Sequence, residues 1–173
     1  MESSHRVMET EKHLSRLIGL KLIKVGGIFA TRQFYFGPAV EMSEIFDLSV
    51  ECAWRIEVGE QILTGSEDYP IKAEDNVDPS WEEGMPSGHL QEQLLRDFLG
   101  GEMVNQEVVI KRSAVEVRSV VSDTFGGFRL RLTEGVSLAV FPTTCRQMEW
   151  MLSHVSEGSV MLINGRIEQV VRR

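Results

Sequence analysis

The chain has 173 residues, a net charge of −8, 42% apolar residues and 25% charged ones. That composition is ordinary for a globular protein with a sizeable core, and it needs no metal or disulfide staple. No apolar run approaches the length needed to span a bilayer, so no membrane association is expected. The polar start, residues 1–12, carries no apolar leader segment. Cys52 and Cys145 then read as free thiols of a cytoplasmic protein.

The elements follow in chain order. Residues 10–18 read as a short helix capped by Thr10 and ended by Gly19. A strand over 20–24, a Gly26-Gly27 turn and an aromatic strand over 28–36 come next. Leu48 to Val58 alternates apolar and polar residues without interruption, the pattern of a strand with one buried face. Gly59 breaks it, and 61–64 resumes it as a hairpin.

Residues 66–86 change character. Glu67, Asp68, Glu74, Asp75, Asp78, Glu82 and Glu83 face Lys72 alone, and three of the five prolines fall here. This stretch reads as an exposed acidic connection. In 90–99, Leu90, Leu94 and Phe98 recur at helical spacing, with Ser87 as the cap and Gly100 as the stop. Strands are expected over 103–111, 114–121, 128–133 and 136–141. Residues 148–154 fit a strand or a helical turn. Asn164-Gly165 between 159–163 and 166–171 is a strong hairpin signal.

The two halves echo each other: helix, Gly, strand, Gly-Gly, strand, strand, Trp, hairpin. The fold class expected is α+β, with two similar antiparallel β-meander units, each preceded by a short helix. The pattern reads as an internal duplication sharing one core. The units are 1–65 and 87–173, joined by the acidic connection 66–86 in one compact structural domain. Trp54 and Trp150 would be equivalent positions.

Motifs that carry chemistry are sparse. His5, His13, His89 and His154 have no metal-ligand spacing, so neither a metal nor another cofactor is expected. His5, His13 and His154 read as exposed. The Gly-Gly pairs suit turns better than phosphate loops, and no nucleophile elbow is present. Cys145 precedes Arg146, which would favour a thiolate, but no His accompanies it in sequence. The localised acidity argues against nucleic acid.

Three functions remain. The first is a non-catalytic interaction protein whose Glu67, Asp68, Glu74, Asp75 and Asp78 meet a basic partner. The second is a β domain binding a small ligand between its units, with Trp54, Arg55 and Trp150 lining the pocket. The third is an enzyme using Glu51, Glu57 or Glu149 with Arg55. A homodimer is compatible with exposed edge strands.

The run Trp54-Arg55-Ile56, followed by Ile62-Leu63-Thr64-Gly65-Ser66-Glu67-Asp68, resembles a pattern in small uncharacterised bacterial proteins. Leu138-Ala139-Val140-Phe141, followed by Glu149-Trp150, is similar to their second half. Some of these proteins look like immunity partners of polymorphic toxins. The resemblance implies an immunity-like, non-catalytic role. The segment Phe36 to Asp47 has no counterpart in that pattern.

Overall fold

The computed structural model describes residues 2–28, 30–38, 44–69, 71–73, 89–105, 107–110, 115–144, 147–163 and 165–170. Helix α1 covers Glu2–Leu14 and continues into a 3-10 turn, Ser15–Leu17. Helix α2 is Leu90–Leu99 and closes on Gly100, as its sequence predicts. The expected α2 cap, Ser87, lies outside the described residues; His89 occupies the cap position and makes no side-chain capping bond.

The strands are β1 Lys21–Ile28, β2 Thr31–Gly37, β3 Phe46–Val50, β4 Ala53–Val58, β5 Gln61–Gly65, β6 Gly101–Val104 and β7 Glu107–Ile110. They continue with β8 Val117–Ser122, β9 Phe128–Leu132, β10 Val136–Phe141, β11 Met148–His154, β12 Gly158–Ile163 and β13 Arg166–Val170. Two antiparallel sheets result. The larger has the order β13-β12-β11-β3-β2-β1-β7-β6, and the smaller β5-β4-β10-β9-β8. The α+β character expected from the sequence is therefore present, with strands dominating.

Several boundaries differ from expectation, each for a physical reason. Thr10 is not a cap: it is buried inside α1, because the helix starts eight residues earlier, at Glu2. Residues 2–9 contain the good helix formers Glu2, Arg6, Met8 and Glu9, and Glu9 pairs with Lys12 and His13 one turn on. Gly26 and Gly27 do not make the first turn. They extend β1 opposite Gln33 and Arg32, and the chain reverses between Ile28 and Thr31.

The uninterrupted alternation of Leu48 to Val58 hides a change of sheet. β3 belongs to the larger sheet and β4 to the smaller. At the join, the amides of Glu51 and Cys52 both donate to the Glu149 carbonyl, at 2.9 and 3.2 Å. Two residues on one carbonyl bend the strand while preserving its in-out order.

The sheets face each other across one core. Phe34 of β2 meets the Trp54 ring of β4 edge-on at 5.2 Å, and Phe128 of β9 meets Trp150 of β11 at 5.4 Å. Inward residues of both sheets, with Leu14, Leu17, Leu95 and Leu99 beside them, form one apolar cluster. Each large side chain so buried contributes about 1.5–3 kcal/mol. The helices close the sides. α1 lies against β8 and β13, edge strands of different sheets, and α2 against β5, β6 and β7.

Candidate functional site: the cleft between α1 and β13

α1 is tied to the smaller sheet along one side. The Arg6 guanidinium donates to the Thr124 carbonyl at 2.8 Å, and the Ser122 hydroxyl to the Val7 carbonyl at 3.2 Å. The Ser122 amide donates to the Glu11 carboxylate at 3.0 Å. Residues four apart share a helix face, so His5, Glu9 and His13 form a second stripe. That stripe, with Arg6, faces Gly165, Arg166, Ile167 and Gln169 of the β12–β13 hairpin across an open cleft of about 560 Å³.

The stripe is electrostatically uneven. His13 is 6% exposed, and its Nε2 stands 3.4 Å from the Glu9 carboxylate. Burial pushes the His13 imidazole below its ordinary value, with Lys12 and Arg16 acting the same way against Glu9. Burial works to raise the Glu9 carboxyl. The Lys12 hydrogen bond and the charges of Lys12, His13 and His5 outweigh it and hold that carboxyl down. At neutral pH the cleft therefore presents Arg6 and Arg166 against one carboxylate, Glu9, with His13 uncharged.

β13 ends the larger sheet. Its register with β12 starts at Ile163 opposite Arg166, the closing pair of a two-residue hairpin, as Asn164-Gly165 predicts. Gly165 has φ +69, which a side chain there would resist. The closing pair of such a hairpin exchanges both of its backbone hydrogen bonds, and the pairs then alternate. Arg166, Glu168 and Val170 accordingly bond to β12. The amides and carbonyls of Ile167 and Gln169 point away from it, and both residues line the cleft.

The residues singled out from sequence lie elsewhere. Trp54 and Trp150 are 3% and 0% exposed, and the Trp150 indole donates to the Gly126 carbonyl at 2.8 Å. Neither indole lines the α1–β13 cleft or the second cleft, which lies on the outer face of the smaller sheet. Arg55 does line that second cleft, beside Glu57, Arg129 and Arg131.

Arg129 takes Glu57 through both terminal nitrogens, and Arg55 Nε joins at 2.5 Å. The Arg129 hydrogen bond is the chief cause holding the Glu57 carboxyl below its usual range, against burial. Glu57 is thus a fixed anion rather than a proton donor. Glu149 is buried in β11, where it accepts the amides of Thr143 and Thr144 at 3.3 and 2.6 Å. Glu51 is exposed at the β3–β4 bend. The three carboxylates do not line one cleft.

Asp68 caps its own turn, accepting from Thr64 Oγ1 at 2.8 Å and the Gly65 amide at 3.1 Å. Glu67 is exposed beside it. Glu74, Asp75, Asp78 and Cys145 lie outside the described residues. Burial and the neighbouring Glu149 push the Cys52 thiol up to about 12. His13 and His154 are not the exposed imidazoles expected. The His154 side chain is 10% exposed and its ring lies tilted against Phe46, 4.4 Å between centroids.

One buried polar group escaped sequence reading altogether. Arg32 of β2 and Glu92 of α2 pair at 2.9 Å with side chains 5% and 7% exposed. No local pattern links residues so far apart in the chain. Among the described residues, no group of His, Cys, Asp or Glu is arranged to hold a metal ion, and no helix is long and apolar enough to cross a membrane. No family model, no curated protein and no solved structure matches the chain.

Proposed function

We propose that this protein is a non-catalytic protein-interaction module that engages its partner at the α1–β13 cleft. The observation that carries this reading is the open cleft running beside the terminal strand of the larger sheet. Unsatisfied edge groups beside accessible space are the usual template for pairing with another chain. The fixed state of Glu57, held by two guanidinium groups, favours binding over proton transfer in the second cleft.

The immunity-like form of the reading, with a bacterial and cytoplasmic setting, rests on the resemblance carried by Trp54-Arg55-Ile56 and Gly65 to Asp68. In that form Glu67 and the acids of 74–83 would meet a basic surface of the same partner.

We also infer that the two halves are copies of one unit. The support is reciprocal register. Trp54 sits opposite Val140, and Trp150 opposite Val50. Ile56 faces Leu138, and Leu152 faces Leu48. In each half a three-stranded meander, β1–β3 or β8–β10, lies in one sheet. The chain then crosses to the other sheet as β4–β5 or β11–β12 and pairs with the last strand of the other meander.

The interaction reading is tested by affinity capture with the full chain beside its Arg166→Glu variant. Arg166 is exposed and has no ion pair among the described residues. A partner held in fixed proportion by the parent chain and lost from the variant is the expected result. A parent chain that stays alone at both low and high salt would contradict the reading.

A further inference from the structure

The geometry points to an oxyanion-binding site on the outer face of the smaller sheet, centred on Arg131, that takes the phosphate or carboxylate group of a small molecule. The cleft that holds it shares no lining residue with the α1–β13 cleft, so the site stands whether or not a partner docks there.

The register of three strands builds the site. Ser137 of β10 lies between Glu57 of β4 and Arg131 of β9, and Ala139 lies between Arg55 and Arg129. Residues two apart on a strand share a face, so the small side chains of β10 form a floor with long side chains on both sides. Neighbouring strands lie about 4.8 Å apart, which sets the two walls roughly 10 Å from each other. The cleft has a volume of about 560 Å³, a size that suits a small organic molecule.

The charges in the cleft are unevenly matched. Glu57 gives its two carboxylate oxygens to Arg129 and Arg55. Arg131 lines the same cleft, is exposed, and makes no ion pair or side-chain hydrogen bond among the described residues. Acids are not scarce in this chain, with 26 against 18 basic residues. Yet both cross-strand neighbours of Arg131 are serines, Ser119 and Ser137, where an acid would have neutralised it. Arg129 and Arg131 sit two residues apart on one strand, about 7 Å along it, so one oxyanion can meet both. Such an anion also relieves the repulsion between the two cations.

Two of the three guanidinium groups are ordered in advance. Arg129 is clamped on Glu57, and Arg55 is held by Glu57 while lying over the Phe141 ring at 4.9 Å. Donors fixed beforehand lower the ordering cost of binding. The planar fork of Arg131 matches two oxygens of a carboxylate or phosphate, and the Ser137 hydroxyl is a further donor in the same cleft. Glu57 shows this recognition made internally, a carboxylate taken up by guanidinium groups. Gln61 and Ile62 edge the cleft and offer the body of the ligand one polar and one apolar contact.

The probes are glycerol phosphate and glutarate, each titrated into the isotope-labelled full chain at constant ionic strength and followed by amide chemical shifts. At least one should give saturable shifts at Arg129, Arg131 and Ser137, and the tighter of the two identifies the group that the site prefers. Arg131→Gln should weaken that binding about tenfold or more. Arg131→Lys keeps the charge and loses the fork, and should recover only part of it. Arg96→Gln removes the same charge from α2, at a residue lining neither cleft, and should change nothing. The near-ultraviolet dichroism of Trp54 and Trp150 reports whether each variant keeps its core. No saturable shift with either probe, undiminished binding by a folded Arg131→Gln chain, or equal weakening by Arg96→Gln would overturn the site.

Discussion

At the scale of single residues, burial decides which side chains are available for chemistry. Cys52 sits 7% exposed beside Glu149, and its thiol is pushed up to about 12. The thiolate is the reactive form, so the native thiol should be inert. In a Cys145→Ser background, a disulfide reagent at mildly alkaline pH should modify Cys52 only at the rate of unfolding, and fully once denaturant is added. Rapid modification of the native chain would show that the site is wetter than its packing implies.

Inward positions were legible residue by residue. Trp54, Ile56, Leu130 and Leu132 all occupy the apolar phase of a period of two, and all are buried. His13 was not legible, because a histidine next to a lysine in a polar helix looks solvated. It is buried because α1 packs against β8 and β13, strands from the other half of the chain.

At the scale of elements, the mounting of α1 is the feature most exposed to solution conditions. Burial holds the His13 imidazole below its ordinary value of 6.5 in the folded chain. As pH falls through that value, the unfolded chain takes up a proton that the folded chain refuses. Stability therefore falls with falling pH in the window just below 6.5. Glu9 acts in a separate, lower window. Its folded value is depressed from 4.5, so its contribution is complete above 4.5 and disappears as pH drops through the folded value. Thermal melts across both windows should show the upper limb flattened in His13→Gln, with the lower limb kept but weaker, since Lys12 and His5 still act on Glu9. An unchanged upper limb in that variant would remove His13 as the source.

Element boundaries were readable where local chemistry sets them, as at Gly100 and at the Asn164-Gly165 hairpin. They were not readable where a distant group does. The bend between β3 and β4 depends on the Glu149 carbonyl, nearly a hundred residues away, and leaves no mark on the alternation of Leu48 to Val58.

At the scale of the whole molecule, antiparallel character followed from turn signals and alternation, but strand number did not: 48–58 and 103–111 each read as one strand, and the chain forms two in each place, β3 and β4, and β6 and β7. Nor did the division into two sheets. It arises because each meander sends its next strand across the core, a choice made by packing rather than by local propensity. The same crossing leaves each sheet with edges. α2 lies along β5, β6 and β7, and α1 is held against β8 while an open cleft separates it from part of β13. That asymmetry is what distinguishes one end of an otherwise reciprocal framework, and it could not be inferred from charge, which pointed instead to residues 66–86.

The most direct test of a partner seat at this end is site-specific photocrosslinking in living cells. A photoreactive side chain is placed in turn at Arg166, in the α1–β13 cleft, and at Ile62, which is 63% exposed in the cleft on the smaller sheet. One discrete adduct from position 166, absent at position 62, is the predicted result. Adducts from position 62 with none from position 166 would place the working surface on the smaller sheet and contradict the seat at β13.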